Sequence, residues 1–517
     1  MQNLLQHDLI KDLIVIRNLT YMDMKRKSII PLFINIGCIL PGSLSIDTIQ
    51  NEVNEPSKPN IILIMADDLG WGDVGFNGNK IIRTPNLDNM AADGIIFSRF
   101  YSGSPLSSPT RGSCITGRNN CRYGIYKPNE GSLPKEEITL SEVLKENGYT
   151  TGHFGKWHLG TLSDSIPDGR RGGSNIEIYS PPWDHGFDVC FSNEQSVPTW
   201  DPMKNQYFET PTRYWTGYRK YETENLDGDD SRVIMDRVIP FIQRAGENNE
   251  PFFALVWFHT PHGPVVAGPK YKELYKAFAE NKQHYYGCIT AMDEQIGRLY
   301  KELKKMGIDK NTLISFISDN GPAGGGINRT GRERSIGGRN QGVTGGFRDR
   351  KGSLYEGGVR VPCFFIWPDN IPKGAKTDFP AVTSDYFPTI LNLLGIEIPK
   401  RPYDGIDIMP ALQGEIITRP GFIGFQSSIV FETTIDASLV SQQYKLLVKN
   451  ASTIEEYEGG KRPETAPEKV FELFDLLNDQ HESMDLSAKR PGIVNKMYVI
   501  LNEWILSCQD SNKGCDY

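Results

Sequence analysis

The sequence predicts an α/β fold: a large mixed sheet, mostly parallel and sandwiched by helices, followed by a smaller C-terminal α+β domain. Two patterns carry that expectation. Short apolar runs recur along the chain, each ending abruptly in polar residues, and stretches of helical period separate them. Composition agrees, because 517 residues with 38% hydrophobic and 23% charged side chains can bury a large core.

Residues 1–46 read as an extension and an address. Lys25, Arg26 and Lys27 precede the apolar run Ile29–Leu44, which the small residues Ser43 and Ser45 close. This is the layout of an export signal. Pro31 and Pro41 interrupt the run, which is also short for a bilayer span, so no stable membrane domain is expected. Translation from Met22 or Met24 would put the signal at the N-terminus. Cys38 is a candidate lipid-attachment cysteine, but Asn35 stands where a lipoprotein signal needs a leucine-like residue. A periplasmic protein is the favoured expectation.

The main domain, residues 58–410, opens after a polar segment with "NIILIMADDLGWGD" from Asn60, a buried strand ending in two aspartates. Helical periods follow over 88–94 and 137–147, then "YTTGHFGKWHLG", a strand running into a glycine turn. Residues 159–232 are rich in Gly, Pro, Asp and aromatics and are expected to form surface loops. Next come a helix over 232–245, the strand in "PFFALVWFHTPHGP", a helix over 284–306 and the strand in "TLISFISDNGP". A glycine- and arginine-rich loop spans 321–360, before the strand "VPCFFIWP" and a helix over 384–394. Residues 411–517 turn to shorter strands and a final helix near 492–507, and no internal repeat is present.

Net charge is −8, from 56 basic and 64 acidic residues, which argues against nucleic acid as the main partner. The eight cysteines include no CxxC pair. Export would permit disulfides; Cys508 with Cys515 is the better candidate and Cys114 with Cys121 the weaker. Cys190, Cys288 and Cys363 read as buried thiols.

Four of the apolar strands end in reactive residues: Asp67–Asp68, Lys156 with His158, His259 with His262, and Asp319–Asn320. Open α/β sheets bind ligands beyond the carboxyl ends of their strands, so these four regions are expected to meet at one edge. Asp67, Asp68, Asp319 and Asn320 are hard oxygen donors that suit Ca²⁺ or Mg²⁺ better than zinc. One Asp-Asp pair alone would more often be a turn or cap. The histidines, His153 included, lack the HExxH spacing of a zinc helix, and the lysine beside the first pair favours an anion. Between Arg329 and Lys351 lie six arginines and Lys351 itself, against Glu333 and Asp349. A charge run is usually a solvated face, and several of these arginines read as one. Lys351 differs, because it opens "KGSLYEGGVRVP", whose glycines allow close backbone approach.

The loop-like stretch "SGSPLSSPTRGSCITGR", residues 102–118, has several hydroxyls and no base of its own to activate one. Its core "SSPTRGSCITGR" resembles the signature of the sulfatase family, within the alkaline-phosphatase-like superfamily. "MADDLGWGD", "GKWHLG", "FHTPHGP", "SDNGP" and "KGSLYEGGVRVP" resemble further family elements in the family's order, as do "HGFD" and "ELFDLLNDQHE". The resemblance covers about residues 58 to 490.

The resemblance implies a sulfuric ester hydrolase of the serine type, in which a radical-SAM enzyme converts Ser107 to formylglycine. One oxygen of the hydrated aldehyde would attack sulfur and the other would later expel sulfate, splitting a difficult step into two. Asp67, Asp68, Asp319 and Asn320, with the oxygen derived from Ser107, would bind Ca²⁺ (Mg²⁺ as the lesser alternative). Arg111 would support formylglycine and the metal-bound oxygens. Lys156 and Lys351 would clamp sulfate, His158 would accept a proton from the diol, and His262 would protonate the leaving alcohol. His259 is expected to be packed. Rivals are a phosphatase or phosphodiesterase of the superfamily, or a non-catalytic glycan-binding relative if Ser107 stays unmodified.

The substrate expected is a sulfated carbohydrate cut from a chain end, with galactose or N-acetylgalactosamine sulfate the favoured sugar. Recognition should lie in 159–232 and 323–350, since loops on a rigid scaffold carry specificity. Trp183, His185, Trp200, Asp201, Trp215 and Arg334 are candidate sugar contacts, each more readily read as structural.

Overall fold

The computed structural model describes residues 58–169, 176–204, 211–324, 339–415, 418–427, 434–457 and 460–517. Arg334, Cys38 and the export signal lie outside them. The central sheet has ten strands: β1 (Asn60–Ala66), β2 (Ile95–Phe97), β4 (Thr150–Lys156), β5 (Val189–Asn193), β6 (Trp215–Gly217), β7 (Lys220–Tyr221), β8 (Phe252–Trp257), β9 (Thr312–Ser318), β11 (Phe364–Ile366) and β12 (Ala375–Thr377). Their order is β12-β2-β11-β9-β1-β8-β4-β5-β6-β7. The five strands from β9 to β5 are all parallel, while β11, β6 and β7 pair antiparallel.

The parallel core follows from the side-chain period of two. Ile62, Ile64 and Ala66 of β1 face one core, while Ile61, Leu63 and Met65 face the other. Helices Asp230–Glu247 and Glu280–Met306 supply Val233, Val238, Ile289 and Ile296 to the first. Helices Ser107–Thr116, Leu140–Glu146 and Tyr386–Leu393 supply Ile115, Leu144 and Ile390 to the second. Both faces of the sheet are therefore covered, and its polar ends are the places left for chemistry.

Three short strands, β3 (Phe100–Tyr101), β10 (Arg360–Val361) and β13 (Ala381–Val382), form a second small sheet. The C-terminal part is an antiparallel sheet of β14 (Ile423–Gln426), β15 (Thr434–Val440), β16 (Tyr444–Thr453) and β17 (Val470–Asp475). One of its faces packs on helix Pro491–Asn512 through Leu439, Leu446, Val448 and Leu501. The other packs Phe425, Leu447 and Phe474 against Tyr101, Leu354 and Val359.

Three sequence expectations change. Residues 159–232 are not simply surface loops, because β5 extends the parallel sheet there and Asn193, Glu194, Gln195 and Ser196 are buried. Residues 107–116 form a helix rather than a loop, every residue of it buried. Pro109 is tolerated because it lies in the first turn. Gly112 is needed because a Cβ there would stand 2.4 Å from the Tyr123 hydroxyl. Finally, Cys114, Cys121, Cys508 and Cys515 are free thiols. Helix Pro491–Asn512 carries Cys508 into the interior, whereas Cys515, past the helix end, is exposed. No helix among the described residues is long and apolar enough to cross a membrane.

Candidate active site

The parallel strands β9, β1, β8 and β4 end at Ser318, Ala66, Trp257 and Lys156, so their following residues share one edge. Asp67 and Asp68 follow β1, Asp319 and Asn320 follow β9, and His259 and His262 follow β8. All six are buried. The Asp68 amide donates to Asp319 Oδ1 at 3.1 Å, and Asn320 Nδ2 donates to Asp68 Oδ1 at 2.7 Å. Asp68 and His158 hold left-handed backbone angles, φ 67° and 60°, a strain that non-glycine residues rarely carry.

Ser107 enters this cluster as the first residue of its helix. Its Oγ lies 3.2 Å from Asn320 Oδ1 and 3.4 Å from both Asp67 Oδ1 and Lys351 Nζ. A helix N-terminus also favours an anion at this point. The hydroxyls of Ser102, Thr110, Ser113 and Thr116 are spent locally. Ser102 Oγ donates to Ser104 O, and Ser113 Oγ bonds Thr110 O and Thr383 Oγ1. The Cys114 thiol is buried, which pushes its pKa far up, so it is no competing nucleophile.

Arg111 lies one helical turn after Ser107, on the same face. Its guanidinium donates to Asp319 Oδ2 at 2.9 Å and to Lys156 O at 3.1 Å, and stands 3.8 Å from Asp67 Oδ2. The Trp257 ring lies 5.1 Å below it. Lys156 Nζ donates to Asp67 Oδ2 at 2.6 Å, and Lys351 Nζ pairs with Asp68 Oδ1. Burial works to raise the pKa of Asp67, but Lys156, His262 and Arg111 outweigh it and hold the carboxyl well below the ordinary range. Burial pulls Lys156 down to about 8 although Asp67 opposes it. Burial and the Asp67 charge push Asp319 up to about 6, against Arg111 and Lys156. Asp67, Asp68 and Asp319 face Arg111, Lys156 and Lys351. Three buried carboxylates and an amide oxygen are a donor set that fits a hard divalent cation.

The histidines divide. His262 Nδ1 lies 2.7 Å from the Gly263 carbonyl, which can only accept, so Nδ1 carries a proton. Its Nε2 faces Asp68 Oδ2 at 3.7 Å. Asp67, Asp68 and His262 could also share a cation, their ligand atoms lying within 4.8 Å of one another. His158 Nε2 lies 2.8 Å from Asn129 Oδ1 and donates to it, which leaves Nδ1 as the basic nitrogen. His259 is packed as expected, bonded to Asp230 Oδ2 at 2.9 Å.

This chain belongs to the sulfatase family. The family profile, described as Sulfatase, matches residues 59–396. N-acetylgalactosamine-6-sulfatase of Mus musculus is 32% identical over 397 residues, covering 71% of this chain and 69% of the mouse protein. Arylsulfatase G of Rattus norvegicus is 30% identical over 413 residues, covering 74% of each. The crystal structure of Ps i-CgsB in complex with k-i-k-neocarrahexaose aligns at TM-score 0.72 with 29% identity, over 88% of this chain and 94% of that one. The activity is therefore sulfuric ester hydrolysis, and the fold is alkaline-phosphatase-like. Family members work with a formylglycine and a divalent metal, and the oxygen donors of this sulfatase suit the metal.

Sequence reasoning missed Asn129, Trp257 and Asp230. None has a local signal, because each acts through a partner distant in sequence. The candidate sugar contacts prove mostly structural in their bonding. His185 Nε2 bonds Ser180 Oγ, Trp215 Nε1 donates to Asp168, and Asp201 accepts from the Gly228 amide. Trp200 lies against Gly268, and Trp183 Nε1 donates to Tyr179 Oη.

Proposed function

We propose that this sulfatase removes sulfate from the end of a sulfated glycan, with Ser107 as the residue oxidised to formylglycine. The observation that carries the reading is the position of Ser107 Oγ, among Asp67, Asn320 and Lys351 at the start of a buried helix. Oxidation by a radical-SAM maturing enzyme would give this position the nucleophile that a bare serine lacks. Asp67, Asp68, Asp319 and Asn320 would hold Ca²⁺, which when bound stabilises charge on the sulfate oxygens.

The chain's own residues do the rest. Lys156 and Lys351 present compact charges to the sulfate from opposite strand ends, Lys156 from β4 and Lys351 from the loop before β10. Arg111 keeps Asp67 and Asp319 in place. His262, its Nδ1–H held by the Gly263 carbonyl, would give the leaving oxygen a proton from Nε2, which a sugar alkoxide needs. His158 takes a proton at Nδ1. Similarity to N-acetylgalactosamine-6-sulfatase supports an N-acetylgalactosamine or galactose sulfate as substrate. The N-terminal signal supports export to the periplasm.

Two measurements test this reading. The peptide carrying Ser107, from protein made with a maturing enzyme, should be about 2 Da lighter than the serine form, the loss of two hydrogens. The same protein should desulfate at least one member of a panel of position-defined sulfated monosaccharides. Turnover by protein whose Ser107 peptide has full serine mass would refute the mechanism.

His262→Ala gives a separate expectation. It should lower kcat on the sugar sulfate by about 10²- to 10⁴-fold. The loss should be much smaller on an aryl sulfate, whose phenolate leaves without a proton. Equal losses on both substrates would remove His262 from the acid role.

A further inference from the structure

We propose that Lys445, from the C-terminal sheet, and Glu482, from the loop after its last strand, are positioning residues for the sulfate-binding Lys351. The proposal rests on the reading above only for what Lys351 contacts. Lys351 lies on a segment with close ties to both halves of the site. The Lys351 amide donates to Pro322 O, and the Gly352 amide donates to Pro105 O, two residues before Ser107. The Gly321 amide, next to Asn320, donates to Gly358 O at 2.9 Å, and Ser102 N donates to Val359 O. A Cβ at Gly357 would stand 2.1 Å from Asp349 O, so the turn closes only with glycine there. Movement of residues 351–359 would therefore shift Lys351, Asn320 and the approach to Ser107 together.

That segment is anchored by the Glu356 carboxylate, fully buried. It accepts from Tyr101 Oη at 3.0 Å and pairs with Arg360 at 3.3 Å and with Lys445 Nζ at 3.1 Å. Lys445 Nζ also pairs with Glu482 at 2.9 Å, and Glu482 Oε2 accepts from the Glu356 amide at 2.7 Å. Lys445 shares its face of β16 with Leu447, an apolar face packed on Tyr101, Leu354 and Val359. A fully buried lysine in such a row has a large desolvation cost, which only its two carboxylates offset. Without the ammonium, the repulsion between Glu356 and Glu482 would no longer be offset by Lys445, at a contact that ties the segment to the C-terminal part.

The test compares Lys445→Met, Lys445→Arg, Glu482→Gln and Leu501→Ala in the full, matured chain. Leu501 is buried on the opposite face of the same sheet, so its truncation destabilises the sheet without touching the cluster. Two readouts are taken: kcat/KM on the sulfated sugar, and hydrogen exchange of the amides of 351–358. Lys445→Met should lose about 10²-fold in kcat/KM, the scale of a small misplacement of a binding group. Exchange at 351–358 should quicken at least about tenfold, and Lys445→Arg should recover much of both. Leu501→Ala should lower Tm with both readouts near wild type. Should Lys445→Met fail to fold, Glu482→Gln, a neutral isostere, carries the same two readouts. Unchanged exchange at 351–358 in the folded charge variants overturns the proposal, as does an equal loss in Leu501→Ala. Failure of wild type to hydrolyse any sulfated sugar would instead remove the functional reading, and the exchange readout would still decide the coupling.

Discussion

Replacing Ser107 with alanine is expected to lower kcat by about 10⁵- to 10⁶-fold, the scale of losing a covalent nucleophile outright. Stability should hardly move. The contacts of Ser107 Oγ run from 3.2 to 3.4 Å, so its removal loses weak hydrogen bonds, about 1 kcal/mol together. Steady-state rates on a sulfated sugar and a thermal melt of the same sample test both halves. Two comparisons sharpen the result. Wild-type protein made without the maturing enzyme should match Ser107→Ala in rate. The neighbouring Ser108→Ala should keep the wild-type rate, since the signature requires a particular residue at 107 and not at 108. Residual activity in Ser107→Ala above about one part in 10⁵ would exceed what binding and positioning groups alone retain, and would mean another nucleophile. The buried Cys114 is poorly placed to be one.

The strand ends were the legible part of this protein. A parallel strand buried on both faces must read as a continuous apolar run, so "NIILIMA" and "TLISFIS" declare both themselves and the polar residues after them. The doubly covered sheet and the meeting of Asp67, Asp68, Asp319 and Asn320 follow from that. β5 was not legible, because "VCFSN" is short and sits among glycines, prolines and aspartates that normally mark loops. Its strand conformation comes from pairing with β4, a tertiary fact. The helix at Ser107 was hidden for a related reason. "SSPTRGSCIT" is poor in strong helix formers, and the helix persists because every side chain in it is buried. The Glu356–Lys445–Glu482 cluster lies furthest from sequence reasoning. A lysine within a β-strand reads as a solvent-facing position, and only the packing of one sheet on another turns it inward.

Arg111→Met is expected to cost about 3–5 kcal/mol of folding free energy as well as activity, the typical result of removing one partner from a buried charge pair. The reason lies in what remains. Asp319 would lose its 2.9 Å partner and Asp67 its neighbour at 3.8 Å, and both carboxylates are fully buried. Methionine replaces the stem but not the planar fork over Trp257, and the hydrogen bond to the Lys156 carbonyl goes with it. Lysine should recover only part of the loss, because a point charge cannot serve Asp319 and that carbonyl from the same place. Adding a divalent cation should separate electrostatics from packing. If Asp67 and Asp319 are ligands, millimolar Ca²⁺ should raise the melting temperature of Arg111→Met, and wild type should lose stability on chelation. At a hundredfold excess over Kd the shift corresponds to about 2.7 kcal/mol. Urea titrations with and without Ca²⁺ measure both quantities. If Ca²⁺ stabilises neither protein, the four oxygen donors do not form a cation site. If Arg111→Met is as stable as wild type, the guanidinium is not what holds the two carboxylates in place.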